Sequence, residues 1–326
     1  MAILKHIIPI AIAALTASCY EDFTPIVDTQ PVLCINALIT AGETFDVHVS
    51  RTWRYDAPET DHSVNDADVT IYANGNMVGR DYIACEGDEI RIIVTSPTYG
   101  EAEATVTVPH AVQVDQPEWV TTVTSTWTGE DFGDGDSEWS AHFCHFTLDA
   151  TLNVHDSADT PDYYRFSFDT YNDNDWSCDI IQGTLQYKQE PIFSEHIGQL
   201  ESVMGAEADG FSIFSDRQFP GSRYPLHLQW REMSWMAHDT SEAIAPIGLR
   251  LSIASVSESY YKYALFCWHT YNGILIDLGD TGFGEPLWAY SNVSTGAGIV
   301  AAQAVTSRTI DLKDFITQTI NHKSRQ

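Results

Sequence analysis

Positive charge is scarce. Lysine and arginine number 16 against 46 aspartates and glutamates, a net charge of −30 over 326 residues. Such a surface repels the phosphate backbone, which all but excludes DNA and RNA as partners. It repels an anionic lipid surface for the same reason. Cysteine is sparse too: six, widely spaced, with no Cys-x-x-Cys pair. That argues against a zinc ribbon or a dithiol redox motif. After the first 19 residues no run approaches the roughly 20 apolar residues a membrane span needs. Gly-x-Ser-x-Gly, His-Glu-x-x-His, P-loop and Gly-x-Gly-x-x-Gly patterns are missing as well, which weighs against an enzyme. What the chain does have is apolar mass: 44% hydrophobic and 12% aromatic residues. That is globular, not disordered, and at about 150 residues per domain the length favours two domains.

The N-terminus reads as a targeting segment, residues 1–18. Lys5 precedes an apolar run from Ile7 to Leu15, then Thr16, Ala17 and Ser18 lead to Cys19. Small residues before a Cys resemble the bacterial lipobox, in which the Cys is acylated and becomes the mature N-terminus. Leu15 stands one place further from the Cys than in the usual motif. The alternative is an ordinary signal peptide cleaved near Ala17. Acyl chains contribute about 0.8 kcal/mol per buried methylene, so a multiply acylated Cys19 anchors the chain without a membrane helix. Residues 19–31 form a polar tether, and its Glu21-Asp22 pair resembles the surface-export signal of Bacteroidota lipoproteins. With Cys19 used, the remaining five Cys argue against a full disulfide framework. Whether Cys34 and Cys85 pair is open.

Residues 32–110 show period-two alternation: Val47 and Val49, Val69 and Ile71, then Ala102, Ala104, Val106 and Val108. Asn74-Gly75 marks a tight turn. The spacing predicts an all-β sandwich of about seven strands. Residues 111–326 read as a larger, mainly β domain. Its strands are expected at 119–127, 142–154, 163–170, 180–187, 224–230, 248–256, 299–305 and 310–312. One helix is expected at 258–271, where aromatics cluster without alternation.

Several phrases occur in an order that resembles one family. They include Ile35 to Ile39, Val49 to Trp53, Asp66 to Val69, Ser96 to Gly100, Asp162 to Arg165, Tyr260 to Tyr263, Glu285-Pro286, Ser291 to Val293 and Gly296 to Ile299. The resemblance is to the Bacteroidota outer-membrane lipoproteins of the domain-of-unknown-function 4249 family. It implies an N-terminal immunoglobulin-like β-sandwich or a carboxypeptidase-regulatory-like β domain, a larger β-sandwich-like domain with one or two helices, and an address at the cell surface. It also implies a role beside TonB-dependent receptors. It transfers no catalytic residue.

Candidate chemistry is thin. His142, Cys144 and His145 lie within four residues, but on a strand only His142 and Cys144 share a face. Asp131, Asp134, Asp136 and Glu138 form an acidic, Gly-containing loop, and Asp173, Asp175 and Asp179 a second. Calcium takes about six to eight oxygens, so the first loop is a candidate calcium site, although neither loop completes an EF-hand. Trp119, Trp127, Trp139 and Trp176 are expected to pack in the core; exposed beside acids, they would stack on sugars. Asp156-Ser157-Ala158 matches a short O-glycan acceptor pattern. The leading functional expectation is a non-catalytic binding or accessory subunit, with no cofactor other than calcium. An extracellular glycan hydrolase and a structural surface subunit are the alternatives.

Overall fold

The computed structural model describes residues 30–53, 61–129, 141–157, 161–172, 178–181, 183–186, 190–197, 212–238, 246–272 and 289–323. Contacts divide the chain into Met1–Pro31 and Val32–Gln326. Every strand and helix of the described residues belongs to the second unit.

Its strands are β1 (Leu33–Thr40), β2 (His48–Arg51), β3 (Asp68–Ala73), β4 (Asn76–Val78), β5 (Glu89–Ser96), β6 (Gly100–Thr107), β7 (Gln113–Val114), β8 (Glu118–Gly129), β9 (Ala141–His155), β10 (Tyr163–Asn172), β11 (Cys178–Ile181), β12 (Thr184–Leu185), β13 (Ile213–Ser215), β14 (Arg223–His238), β15 (Ile247–Val256) and β16 (Ala297–Asp311). Helix α1 spans Glu258–Asn272 and α2 spans Lys313–Lys323. Among the described residues the strands form three sheets. Sheet A runs β13-β10-β15-β16-β1-β2, and sheet B runs β4-β3-β5-β6. Sheet C runs β11-β14-β9-β7, with β12 also on β14 and β8 also on β9. The protein is mainly β, a smaller sandwich followed by a larger one, with two helices among the described residues.

Sheet A is common to both sandwiches. Leu33, Ile35, Ala37 and Ile39 point from β1 into the first core, where Ile90, Ile92 and Val94 of β5 and Ala102, Ala104 and Val106 of β6 meet them. This is period-two alternation with one buried face. The far end of the chain completes that core: Val293, Val300 and Ala302 lie in it, and β1 pairs parallel with β16. The boundary expected at residue 110 therefore separates stretches of sequence whose strands share a sheet. Further along β16, Ile310 enters the second core, with Leu249, Leu251 and Ile253 of β15 and Phe166 of β10. Opposite them lie Phe146, Leu148 and Leu152 of β9 and Leu226, Trp230, Met233 and Trp235 of β14. On the outer face of sheet A, α1 is held where Ser259 Oγ donates to the Val300 carbonyl (2.9 Å) and Tyr261 stacks on Tyr163 (4.4 Å). Tyr164 enters the core, so the Tyr163-Tyr164 pair straddles the sheet as its spacing implies.

Local rules account for most turns. Asn74 and Gly75 both have positive φ (51° and 78°), the signature of a type I′ hairpin turn. Asp66 accepts from Ser96 Oγ (3.0 Å) and Thr98 Oγ1 (2.8 Å), tying the start of β3 to the β5–β6 turn. Gly298 carries φ +108°, and a Cβ there would lie 2.2 Å from the Ile35 carbonyl oxygen. Glycine is what lets β1 and β16 approach. Departures are few. The runs expected at 299–305 and 310–312 are one strand, β16. Val47 precedes β2 rather than opening it. The second of the expected one or two helices is α2, at a position the sequence does not mark: its Ile and Thr content reads as strand, yet Ile316 is fully buried.

Candidate functional site

Sheet C buries one face and exposes the other. Along β9 the alternation Leu148-Asp149-Ala150-Thr151-Leu152 buries the even positions and turns Asp149 and Thr151 outward. On β14, Leu226, Leu228 and Trp230 are buried, while His227 and Gln229 turn outward. Register then aligns the outward groups: His227 faces Thr151, Gln229 faces Asp149, Glu118 faces Thr151 and Val120 faces Asp149. The result is an open groove of about 500 Å³ across β8, β9 and β14, lined on β8 by the outward Glu118 and Val120.

The polar groups of this groove are held in pairs. Gln229 Nε2 donates to Asp149 Oδ1 at 2.6 Å, and Thr151 Oγ1 meets His227 Nδ1 at 3.2 Å. Arg231 Nε donates to Gln229 Oε1 at 2.9 Å, which leaves the amide hydrogens for Asp149. The backbone beneath is fixed as well. The pairing of β12 with β14 covers only Arg231 and Trp230, so it does not reach His227. There the buried Glu190 carboxylate accepts the His227 N–H (2.8 Å) and the Tyr224 hydroxyl. This part-buried backbone donor is satisfied in this way instead of by a neighbouring strand. The groove is therefore a preorganised face of carboxylate, amide, imidazole and hydroxyl groups. Such a face suits a hydroxylated or amine-bearing ligand.

Residues 20–309 match the model described as domain of unknown function DUF4249. The chain belongs to that family. No curated protein and no solved structure matches it.

Within this DUF4249 chain the sequence candidates fare unevenly. Cys19 lies outside the described residues, as do Asp131, Asp134, Asp136, Glu138, Asp173, Asp175, Trp139 and Trp176. Trp119 and Trp127 do not pack in the core: they are 38% and 40% exposed. Both stand on β8, Trp127 on the outer face opposite Phe143 and Trp119 on the inner face opposite Ala150, at the edge of sheet C. Trp127 stacks on Phe143 (5.1 Å) and His145 (4.7 Å). Cys144 is buried on the inner face of β9, where burial pushes its thiol up to about 11. His145 is on the other face, so the His-Cys-His run does not converge. Among the described residues no three His, Cys, Asp or Glu side chains gather as a metal site. Cys34 and Cys85 are free thiols. Asp156 has a structural role, accepting the Gly221 N–H (2.6 Å) and the buried Tyr164 hydroxyl.

A second polar cluster sits where β13 meets α1. Glu195 accepts the Ser215 N–H (2.5 Å), the Ser215 hydroxyl (3.2 Å) and the Tyr261 hydroxyl (3.2 Å). Burial raises its carboxyl above the usual range, and these bonds offset part of that rise. Burial also raises Asp216 beside it. This cluster fastens α1 to the sheet edge.

The groove residues Glu118, Asp149, Thr151, His227 and Gln229 escaped sequence reasoning. Alternation marks each as outward-facing. Only the pairing of β9 with strands far away in sequence brings them together.

Proposed function

We propose that the protein is a bacterial surface lipoprotein, acylated at Cys19 after removal of residues 1–18. It serves as a non-catalytic binding or accessory subunit beside a TonB-dependent outer-membrane transporter. The groove on sheet C carries the binding part of this reading. Its polar groups are fixed by one another and open to solvent, which suits recognition. A general acid at neutral pH instead needs an apolar pocket that holds its proton. The net charge of −30 keeps the body off anionic lipid. No helix among the described residues is long and apolar enough to cross a membrane, so the proposed tether is the lipid.

The test is a gentle pull-down from native membranes. A β-barrel receptor recovered in stoichiometric amount supports the reading, and a lone monomer contradicts it. One observation favours a second reading, glycan hydrolysis. Glu118 and Asp149 are diagonal neighbours on paired strands, a relation that places side chains about 7–8 Å apart. Carboxylate pairs at about 5–9.5 Å cleave glycosides. Glycan cleavage abolished by Glu118→Gln and by Asp149→Asn would establish that reading in place of the first.

A further inference from the structure

The sheet edges of this protein are treated unequally. β2 and β11 have four residues each, β4 and β13 three, and β7 two, so these edges offer little ladder to a visitor. β6 is longer, at eight residues, but the chain itself covers it. Ser294 and Glu103 exchange both backbone hydrogen bonds (2.8 and 3.3 Å), and Thr295 Oγ1 donates to the Glu101 carbonyl (2.6 Å). β8 is different. It has twelve residues, about 40 Å of extended backbone at ~3.4 Å each, and among the described residues it pairs only with β9.

Its composition makes the contrast sharper. Proteins blunt exposed edges with lysine, proline or inward-pointing charge. β8 contains no Lys, Arg or Pro, and Glu118 is its single charged residue. The rest is Thr, Val, Trp, Ser and a terminal Gly, dominated by strong strand formers. Both faces are open to solvent. Val120 is 58% and Val123 44% exposed, with Trp119 and Trp127 beside them. The irregularity between Val123 and Ser125 does not end the strand, since pairing with β9 resumes on its far side.

We propose that β8 is a docking edge, which accepts an extended basic segment of a different protein as an added strand of sheet C. Main-chain hydrogen bonds would supply affinity. Alternating apolar side chains set against Trp119 and Val123 on one face, and Val120 and Trp127 on the other, would supply specificity. Charge selects the occupant. Two copies of a chain carrying −30 repel, whereas a segment bearing Lys or Arg is attracted by the same field and by Glu118 and Asp149 nearby. The proposal holds whether or not Cys19 is acylated and whether or not the groove takes a ligand.

The probe is a synthetic ten-residue peptide alternating valine and lysine, with a valine–glutamate peptide as control. Binding to the purified protein is read by calorimetry and by tryptophan fluorescence, and the protein alone is examined by sedimentation velocity. Thr121→Pro and Thr122→Pro complete the set. Adjacent residues of a strand direct their N–H groups to opposite sides, so one proline breaks the ladder to β9 and the other removes an outward donor. Expected is lysine-peptide binding at least tenfold tighter than glutamate-peptide binding. It should be lost in the proline variant whose melting temperature is unchanged. Equal affinity for the two peptides, no binding of either, or binding that survives both prolines would overturn the proposal. So would a dimer of the protein alone that the outward proline dissolves, because β8 would then serve a second copy.

Discussion

Replacing Gly298 with alanine probes the union of the two ends of the chain in sheet A. The added Cβ would sit 2.2 Å from the Ile35 carbonyl oxygen and 2.9 Å from the Ile35 carbonyl carbon and amide nitrogen. Ordinary contact begins near 3.5 Å, so β1 and β16 must move apart by about 1 Å at this point. Two ladder hydrogen bonds would be lost or stretched, at about 1 kcal/mol each. The positive φ adds about 1–3 kcal/mol for any residue with a side chain. The expected loss is about 3–5 kcal/mol, a large share of the roughly 5–15 kcal/mol that separates folded from unfolded states. Gly100→Ala is the control: φ is +83° there, but nothing lies within 4 Å of the added atom. Strain alone should cost it about 1–2 kcal/mol. Urea titration followed by tryptophan fluorescence measures both. If the two variants lose equal stability, Gly298 is not pressed against β1, and the parallel β1–β16 pairing is wrong.

Three other predictions rest on single side chains. Asp88 accepts from the Cys85 N–H (2.8 Å), Tyr82 (2.7 Å) and Asn74 (2.7 Å); the first of these bonds does most to lower its carboxyl below the ordinary 3.8. Its stabilisation is present above that value and is lost as pH falls through the lower folded-state value. Asp88→Asn should therefore cost about 2 kcal/mol at pH 7, and the gap to the parent should close in acid, as thermal melts from pH 7 to 2 would reveal. Glu195 has the opposite sign. Its folded-state value is raised by burial, so its contribution falls as pH rises above the ordinary 4.5. Glu195→Gln should abolish that fall, and melting curves of parent and variant across pH 4–8 that run parallel would refute it. Among the described thiols, the exposed Cys85 should react first with an aromatic disulfide reagent and the buried Cys144 last, as mass mapping of the labelled peptides would show.

Much of the fold is legible in the sequence, because strands with one buried face write themselves as alternation. The β5 and β6 runs, the Asn74-Gly75 turn and the unalternating aromatic stretch of α1 all announce their structures. Less legible are features decided by partners distant in sequence. Nothing near β1 says that its neighbour is β16, more than 250 residues away in the register Ile35 to Gly298. The pair Gly296 and Gly298 is the one local hint, since both would crowd the β1 backbone if they carried side chains. The same reason hides the groove. Asp149 and His227 are ordinary outward residues until β9 and β14 pair. Trp119 and Trp127 misled, because tryptophan favours burial on average; Trp127 turns to the outer face of sheet C, and Trp119 turns inward from a strand at the edge of that sheet. The surface address, by contrast, rests on a short run of residues at the N-terminus, before the first strand.

That address is tested most directly by mass spectrometry of the N-terminal peptide of the protein purified from its native envelope. The account predicts a chain that begins at Cys19 with diacylglycerol on the sulfur. A chain that begins elsewhere, or one whose Cys19 thiol is unmodified, would contradict it.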